Sequence, residues 1–487
     1  MRLSYLAYSF SIALMFLSFV LLAPIIVALI FKENGAILPF IVASASALMT
    51  SAVLRKIVKG VSQIKSINDI RKGEGLCIVS LSWIFAGLFS MVPYLFFGLS
   101  PMDAFFEATS GITATGATIF THFDYPNALF FWRSLSQWLG GMGIIVLFIA
   151  VLPQFAIAGR QLFFAEAPGP TEDKMTPRIK NTASSLWKIY FGMTILEIIL
   201  LKLNGMAWFD SICHSFSSVS GGGFSPNGES LIGSSGIVLW IICFFMFFAG
   251  ASYNLQYRAW TKFNPLLLFK NEEFRTYFFI VLAIGGLLAT SLFVHSHYNI
   301  FDSITHSFFQ VSSVISTTGF CSVDFASWDY TSKVLLFLAM LAGSCASSAG
   351  GGIKIVRWLL ILKIMKSEMA KILHPKAIYN IKIGKYSVSK DVLYQTLMFV
   401  SFYLAILVFS ALVIAVIEQN TMVGISSAVS SVGNIGPGLT KLIGPLGHYA
   451  GLQDISKFIL TVDMYIGRLE LIPFIVLFQK ELWTLRK

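Results

Sequence analysis

The sequence is long, apolar and weakly charged for its length. Its 487 residues are 56% hydrophobic and 12% charged, with a formal net charge of +11 and a mean hydropathy of +0.76. This composition excludes a soluble globular protein and predicts an all-α polytopic membrane protein. Ten apolar runs are long enough to cross a bilayer; they are 5–31, 37–54, 77–98, 128–153, 185–203, 235–256, 277–296, 333–362, 393–416 and 455–479. The first run is too long for the core of a signal peptide, so we expect it to be a retained span.

The distribution of lysine and arginine predicts the orientation of these spans. The loops of one side contain almost no basic residue; they are 99–127, 204–234, 298–331 and, with Lys441 alone, 418–454. The loops of the other side are basic; they are 55–74, 154–184, 257–276 and 354–390. Because basic loops stay in the cytoplasm, the N-terminus is predicted to be cytoplasmic. The positive net charge arises mostly from these basic cytoplasmic loops and does not indicate nucleic-acid binding. A basic inner face can bind anionic lipid or a cytosolic partner.

The sequence carries no signature of a disulfide framework, a metal cluster or an enzyme. Its five cysteines, Cys77, Cys213, Cys243, Cys321 and Cys345, show no paired spacing. His-Glu-x-x-His, Gly-x-Ser-x-Gly and paired intramembrane aspartates are absent from it. We therefore expect no enzymatic activity and no bound cofactor.

The chain divides into a two-span unit and four units of similar plan. The first unit, 1–74, holds two spans joined by a turn at 31–36, and then a basic loop. Each later unit has a span, a short outer helix that re-enters the membrane, and a second span; these units are 75–184, 185–276, 277–390 and 391–487. The repeats predict ten spans and four re-entrant pore loops around a pseudo-four-fold axis.

The four units align without gaps on four glycines, at 116, 223, 319 and 436. A serine lies six residues before each glycine, at 110, 217, 313 and 430. The residues predicted to line a pore are the four that end at each glycine: Thr113, Ala114, Thr115 and Gly116; Ser220, Gly221, Gly222 and Gly223; Ser316, Thr317, Thr318 and Gly319; Gly433, Asn434, Ile435 and Gly436.

Glycine at these points allows backbone φ angles above zero, which a loop needs if its carbonyl groups are to line one axis. Four such loops can replace the water shell of a cation, as in the selectivity filter of potassium channels. A single cluster of Gly, Ser and Thr would instead indicate close helix packing. Four clusters in register, each between two apolar spans, favour a filter.

Three ionisable residues within the repeats leave alternatives open. Glu197, in a span, is a functional candidate or else the partner of a lysine near the end of that span, Lys188 or Lys202. His214 and His306 are candidate cation or proton sites, although we favour hydrogen bonding and packing. The segment 301–308 nearly copies 209–216 but is displaced by four residues relative to its glycine. One extra turn of helix, or chance similarity, would explain that displacement.

The second span of the third repeat is interrupted at 343–352, where nine of ten residues are Gly, Ser or Ala. Each glycine in a helix interior costs about 1 kcal/mol relative to alanine, so we expect the helix to break here. A broken helix below a filter indicates a flexible gate, and the alternative is a packing kink. The candidate gate residues are Gly343, Ser344, Ser347, Ser348, Gly350, Gly351, Gly352 and Lys354.

Arg468 is an arginine inside the last predicted span, where a charge must face a cavity or an acidic partner. Glu470 is two residues away and points to another face of the helix. We interpret Arg468 as a charge in the permeation path below the filter that raises the barrier for a cation. The alternative is a buried pair that joins two spans. In the first repeat, the glycines of 140–143 are interpreted as packing contacts.

Together, these motifs resemble the Trk/Ktr/HKT superfamily of potassium transporters over essentially the whole chain, including the two-span start. The matching motifs are Thr-Ala-Thr-Gly-Ala (113–117), Gly-Gly-Gly-Phe-Ser (221–225), Ser-Thr-Thr-Gly-Phe (316–320), Gly-Asn-Ile-Gly-Pro-Gly (433–438), Ala-Gly-Gly-Gly-Ile-Lys (349–354) and Gly-Arg-Leu-Glu (467–470).

The resemblance implies potassium uptake across the bacterial cytoplasmic (inner) membrane, with K⁺ as the transported ion. It further implies a homodimer with one pore per subunit, and a cytosolic nucleotide-binding regulatory subunit, TrkA. It assigns a gating role to 343–352 and a barrier role to Arg468. Two departures from the family pattern, Ala114 and Gly221, change side chains but not the number of carbonyl groups.

The alternative function is an ion-coupled secondary potassium symporter, driven by H⁺ or Na⁺, that alternates access through inverted repeats. Inverted repeats would place two of the glycine segments on the basic side of the membrane. Here all four are predicted on the outer side, which favours selective conduction gated from the inside.

Overall fold

The structure is a computed structural model that describes residues 3–58, 72–150, 175–296, 298–376, 380–384 and 386–471, and residues 473, 474, 477 and 479. The α-helices of these residues are α1 (Leu3–Val20), α2 (Ala23–Ile30), α3 (Ile37–Val58), α4 (Lys72–Ser90), α5 (Val92–Phe96), α6 (Pro101–Ile112), α7 (Asn127–Ala150), α8 (Met175–Leu203), α9 (Trp208–Ser220), α10 (Gly236–Ala249), α11 (Tyr253–Thr261), α12 (Leu266–Lys270), α13 (Glu272–His295), α14 (Ile300–Ile315), α15 (Tyr330–Ala342), α16 (Ile355–Leu373), α17 (Lys390–Ile417), α18 (Thr421–Gly433) and α19 (Asp454–Arg468). Two short strands, β1 (Lys382–Ile383) and β2 (Tyr386–Ser387), pair as an antiparallel hairpin. The predicted helical class is confirmed.

Several helices are long and apolar enough to cross a membrane. Within the described ranges these are the five stretches Tyr5–Ile30, Asn34–Val58, Gly73–Phe96, Glu272–His295 and Lys390–Ile417. A sixth candidate is the pair α10 and α11, which bends by 104°. The chain is therefore a multi-pass membrane protein.

Five of the ten predicted spans are not continuous helices. The predicted span 5–31 is divided between α1 and α2, and the predicted span 77–98 between α4 and α5. The predicted span 235–256 bends between α10 and α11, and the predicted span 333–362 is divided between α15 and α16. The predicted span 455–479 ends as helix at Arg468, because Glu470 and Leu471 have φ angles of 58° and 63°, which an α-helix cannot contain. The predicted cytoplasmic loop 154–184 lies outside the described residues as far as 174.

Four short helices, α6, α9, α14 and α18, end in the protein interior. Their last turns are buried, over residues 106–112, 217–220, 309–315 and 426–433. The helix α14 begins nineteen residues before Gly319, whereas α9 begins fifteen residues before Gly223. The extra turn that would explain the displaced copy is therefore present in α14.

The two N-terminal spans pack against the first repeat. The hydroxyls of Ser44 and Ser51 in α3 donate to backbone carbonyls of α1, at 2.8 and 2.6 Å. The Glu33 carboxylate accepts the N–H groups of Asn127, at 2.8 Å, and Ala128, at 3.1 Å. These donors belong to the first turn of α7, which has no partner for them within the helix. The turn after α2 thereby caps a helix of the first repeat.

Candidate functional site

The four glycine segments share one backbone conformation. The φ angles of Gly116, Gly223, Gly319 and Gly436 are 85°, 74°, 85° and 101°, so the predicted need for positive φ is confirmed. The residue two positions earlier also has positive φ in each segment, and these residues are Ala114 (51°), Gly221 (70°), Thr317 (60°) and Asn434 (53°). Because three of these four are not glycine, this second left-handed residue could not be recognised from residue types.

The serine of each segment has a backbone role. In every segment the residue before the glycine donates its N–H to the carbonyl of the serine five residues earlier. The distances are 2.9 Å for Thr115 to Ser110, 2.8 Å for Gly222 to Ser217, 2.8 Å for Thr318 to Ser313 and 2.8 Å for Ile435 to Ser430. This repeated bond fixes each segment to the end of its own short helix. It explains why each serine stands at a constant distance of six residues before its glycine.

Each glycine faces the backbone of the next segment. A Cβ atom on Gly116 would lie 2.1 Å from the carbonyl oxygen of Gly222, and one on Gly223 would lie 1.9 Å from that of Thr318. A Cβ on Gly319 would lie 2.1 Å from the Ile435 oxygen, and one on Gly436 would lie 2.7 Å from the Thr115 oxygen. These contacts run from the first segment to the fourth and back to the first. The four segments therefore form a closed ring in chain order, which we call the glycine ring.

Side chains from outside the segments hold the glycine ring. The Gln137 side chain donates to the Gly222 carbonyl at 2.7 Å and accepts the Phe224 N–H at 3.0 Å. The Tyr449 hydroxyl donates to the Gly436 carbonyl at 2.8 Å. Within the ring, the Asn434 amide joins two segments, because it donates to the Thr115 hydroxyl at 2.9 Å. None of these supports was predicted from the sequence.

A buried ion pair lies behind the first two segments. Arg133 of α7 is 2.8 Å from the Glu107 carboxylate of α6, and its guanidinium lies over the Phe120 and Phe224 rings at 4.5 and 4.1 Å. Arg133 also donates to the Ser225 carbonyl at 3.1 Å. A buried pair of this kind fixes the orientation of the elements it joins, because separating either partner leaves an uncompensated charge.

The glycines of α7 make the packing contacts that were predicted for them. A Cβ on Gly140 would lie 1.8 Å from the Ile112 carbonyl oxygen, and a Cβ on Gly141 would lie 2.7 Å from the Ser220 Cβ. These glycines allow α7 to approach the ends of α6 and α9.

The segment between α15 and α16 lies against the glycine ring. The Gly351 N–H donates to the Thr317 hydroxyl at 2.7 Å. A Cβ on Gly350 would lie 2.5 Å from the Ser316 oxygen, and a Cβ on Gly351 would lie 2.6 Å from the Gly433 oxygen. The predicted break in the helix is therefore present, and the segment, which we call the crossing loop (343–354), contacts the third and fourth segments.

Two buried cations hold the crossing loop. Arg468 is 2% exposed and donates to the Ala349 carbonyl at 2.7 Å and to the Gly140 carbonyl at 2.9 Å. Lys354 donates to the Gly350 carbonyl and, at 3.2 Å, to the Ser344 hydroxyl. No acidic partner of Arg468 is found in the part of the chain that the structure describes. The charge of Arg468 thus faces carbonyl oxygens rather than an ion pair.

Glu470 does not approach Arg468. Its carboxylate is 2.6 Å from Arg357 of α16, so the prediction that it points to another face is confirmed. This pair joins the end of α19 to the helix that follows the crossing loop.

The remaining ionisable candidates are held by hydrogen bonds. The Ser218 hydroxyl lies 2.6 and 2.7 Å from the two carboxylate oxygens of Glu197, so the alternative pairing with Lys188 or Lys202 is wrong. His214 donates to the Asp210 carbonyl at 2.8 Å, with its other nitrogen 3.1 Å from the Ser225 hydroxyl. His306 lies 2.9 Å from the Ser322 hydroxyl. The favoured interpretation of both histidines agrees with these contacts.

Asp463 is a further buried acid that was not predicted from the sequence. Asp463 of α19 is 2% exposed and accepts a hydrogen bond from the Ser410 hydroxyl at 2.9 Å. An acid inside an apolar span is a signal that the sequence does contain.

A multi-pass helical protein whose short helices end at a closed backbone ring has the architecture of a membrane transport protein. A family model described as TrkH, cation transport protein, matches residues 44–484. The chain therefore belongs to the TrkH family of cation transport proteins, and the resemblance seen in its motifs is confirmed.

Named relatives match most of the chain. The Trk system potassium uptake protein TrkH of Halomonas elongata is 36% identical over 481 residues, which cover 96% of this chain and 97% of that protein. The protein of the same name from Escherichia coli is 35% identical over 426 residues, covering 86% and 88% of the two chains. The crystal structure of the potassium transporter TrkH from Vibrio parahaemolyticus superposes with a TM-score of 0.89 at 31% identity, covering 99% of this chain and 100% of that one.

Proposed function

We propose that this chain takes up potassium across the bacterial cytoplasmic membrane, with the glycine ring as its selectivity filter and the crossing loop as its gate. The relatives are named potassium uptake proteins. The observation that carries the proposal is the closed ring of four segments with the same backbone conformation.

The ring suits a cation for two reasons. Positive φ at alternate residues supports carbonyl groups that line one axis, although the side chains at these positions differ between Ala114, Thr317 and Asn434. The C-terminal ends of the four short helices meet at the ring, and the negative end of a helix dipole favours a cation. Selection by carbonyl groups accounts for a filter that tolerates different side chains.

The crossing loop suits a gate because it contacts the ring on the side where Arg468 lies. The loop makes one hydrogen bond to the ring, at Thr317, and accepts one from Arg468, while backbone hydrogen bonds join it to Ala249, Gly250 and Tyr253. Its glycines give it alternative backbone conformations. Arg468 adds a positive charge that raises the barrier for a cation below the ring.

The chain is expected to act in an assembly at the cytoplasmic face of the membrane. The words "Trk system" in the names of the relatives imply partner proteins. The proposed assembly is a homodimer controlled by a cytosolic nucleotide-binding subunit, TrkA, which the basic loops would face. The distribution of lysine and arginine supports an N-terminus in the cytoplasm.

The test is the flux of potassium and sodium through the purified chain in liposomes, under an imposed voltage and without a proton gradient. We expect a voltage-driven flux that prefers potassium, and no such flux in liposomes without protein. If flux appeared only when a proton or sodium gradient was added, the protein would be an ion-coupled symporter rather than a selective conduction pathway.

Replacing Arg468 by alanine is expected to raise potassium flux per protein by about tenfold, a factor that corresponds to about 1.4 kcal/mol. The change removes a buried charge and its hydrogen bond to Ala349. The variant Arg468→Lys separates the two effects: it keeps the charge but lacks the planar group that reaches two carbonyls. Flux per protein equal to wild type in Arg468→Ala, with less protein recovered, would make Arg468 a packing residue.

A further inference from the structure

Glu273, in the first turn of α13, contacts both ends of the crossing loop. One of its carboxylate oxygens accepts the N–H of Ala346 at 2.7 Å and the N–H of Val356 at 3.3 Å. Ala346 lies in the crossing loop, four residues after the end of α15, and Val356 belongs to the first turn of α16. A single atom of a neighbouring helix therefore bridges the two sides of the break.

Both donors are groups that need an outside partner. The first N–H groups of a helix have no acceptor within it, and Lys354, the residue before α16, makes no capping hydrogen bond with its side chain. Glu273 supplies this cap from another helix. Because an acceptor with negative charge strengthens the bond and favours the positive end of the helix dipole, the contact stabilises the position of α16 relative to the loop.

The neighbouring residue Glu272 points elsewhere. Its carboxylate is 2.6 Å from Lys363 of α16 and accepts the N–H of Gly384, in the turn of the hairpin, at 2.8 Å. Two adjacent acids of one helical turn thus have different partners, and of the two only Glu273 contacts the loop itself among the groups described.

We propose that Glu273 is a positioning residue that holds the crossing loop across the glycine ring by bridging its two ends. This inference rests on the proposed function of the loop as the gate. A displacement of the first turn of α13 relative to α16 would break both of these hydrogen bonds together, which gives the cytoplasmic side of the protein a direct means to loosen the loop.

The test measures the exposure of the loop and the ion flux separately. Cys345 lies beside Ala346 and is 1% exposed, so its rate of reaction with a small thiol reagent reports on the loop when the other four cysteines are replaced by serine. In Glu273→Ala we expect this rate and the potassium flux to rise about tenfold, a factor that corresponds to about 1.4 kcal/mol. Glu273→Gln keeps an acceptor oxygen and is expected to stay close to wild type.

Two controls separate a local change from misfolding. Glu272→Ala removes the same charge from the same turn and should leave the Cys345 rate unchanged. A second background that retains only Cys213, a buried residue of α9, should react at the same rate with and without Glu273→Ala.

The outcomes distinguish the positioning role from the gate. A faster Cys345 reaction together with faster flux supports both. A faster Cys345 reaction with unchanged flux supports the positioning role and overturns the crossing loop as the gate. An unchanged Cys345 rate in Glu273→Ala overturns the positioning role, whatever the flux, and so does an equal acceleration in Glu272→Ala.

Discussion

Replacing Gly223 by alanine is expected to remove the preference for potassium over sodium while leaving the protein folded. The new Cβ would lie 1.9 Å from the Thr318 carbonyl oxygen, and the residue would keep a φ of 74° that alanine rarely adopts. The collision moves a carbonyl of the next segment out of the ring. A strain of roughly 1–3 kcal/mol corresponds to a loss of roughly fivefold to a hundredfold in the selectivity ratio. Gly116→Asp should have at least this effect, because it adds a charge to the same kind of collision.

The control for this experiment is Gly205→Ala. Gly205 also has a positive φ, 94°, but no atom lies within 4 Å of its Cβ position. The control therefore reproduces the backbone strain without the collision. We measure the reversal potential of each variant in potassium and sodium gradients. If Gly223→Ala kept the wild-type reversal potential, Gly223 would not belong to the selectivity filter.

Deleting residues 344–351 is expected to raise potassium flux by about tenfold or more without changing selectivity. The two ends of this stretch already meet, since a Cβ on Gly352 would lie 3.4 Å from the Gly343 Cα. Joining Gly343 to Gly352 therefore removes the loop with little change to α15 and α16. The deletion removes the contacts to Thr317 and Arg468 that hold the loop across the ring. A tenfold rise corresponds to a loss of about 1.4 kcal/mol in the stability of the closed state relative to the open state.

The glycine variant and the deletion are expected to change different properties of the protein. Gly223→Ala alters the selectivity, and the deletion alters the flux, so each variant serves as a control for the other. Single-channel recording of both variants measures open probability and reversal potential together. A deletion variant with the open probability of the wild type would mean that the crossing loop is only a kink that packs α15 against α16.

The glycine ring could be predicted from the sequence because the features that identify it lie within short stretches of the chain. The four glycines and serines stand in register without gaps, and this register by itself implies a repeated backbone conformation. The break at 343–352 is equally local, because glycine, serine and alanine disfavour a helix at that density. The ring and the break are therefore determined by the residues at those positions, without contacts to distant parts of the chain.

The supports of the ring could not be predicted because they depend on contacts between distant residues. Gln137 lies 85 residues from the carbonyl that it binds, and Asn434 lies 319 residues from Thr115. The second positive φ of each segment is carried by residues such as Ala114 and Thr317, which have no special preference for it. Tertiary structure imposes these angles.

The end of α19 could not be predicted from the sequence for a different reason. The composition stays apolar from 471 to 478, so a hydropathy argument continues the span to 479. The structure instead turns at Glu470, whose carboxylate reaches Arg357 of α16. A pairing with another helix decides where this helix stops, and hydropathy carries no information on that pairing.

Closure of the ring between its first and last segments has a consequence for biosynthesis. The Asn434 amide binds the Thr115 hydroxyl across 319 residues, and Gly436 lies against the Thr115 carbonyl. When the ribosome has made only the first three repeats, the ring therefore still lacks its fourth segment. Backbone groups at membrane depth need either a partner or water, so the first segment must wait in a hydrated cavity until the fourth arrives. With the ring as the proposed selectivity filter, completion of the last repeat is then the step at which a nascent chain becomes capable of discriminating between ions.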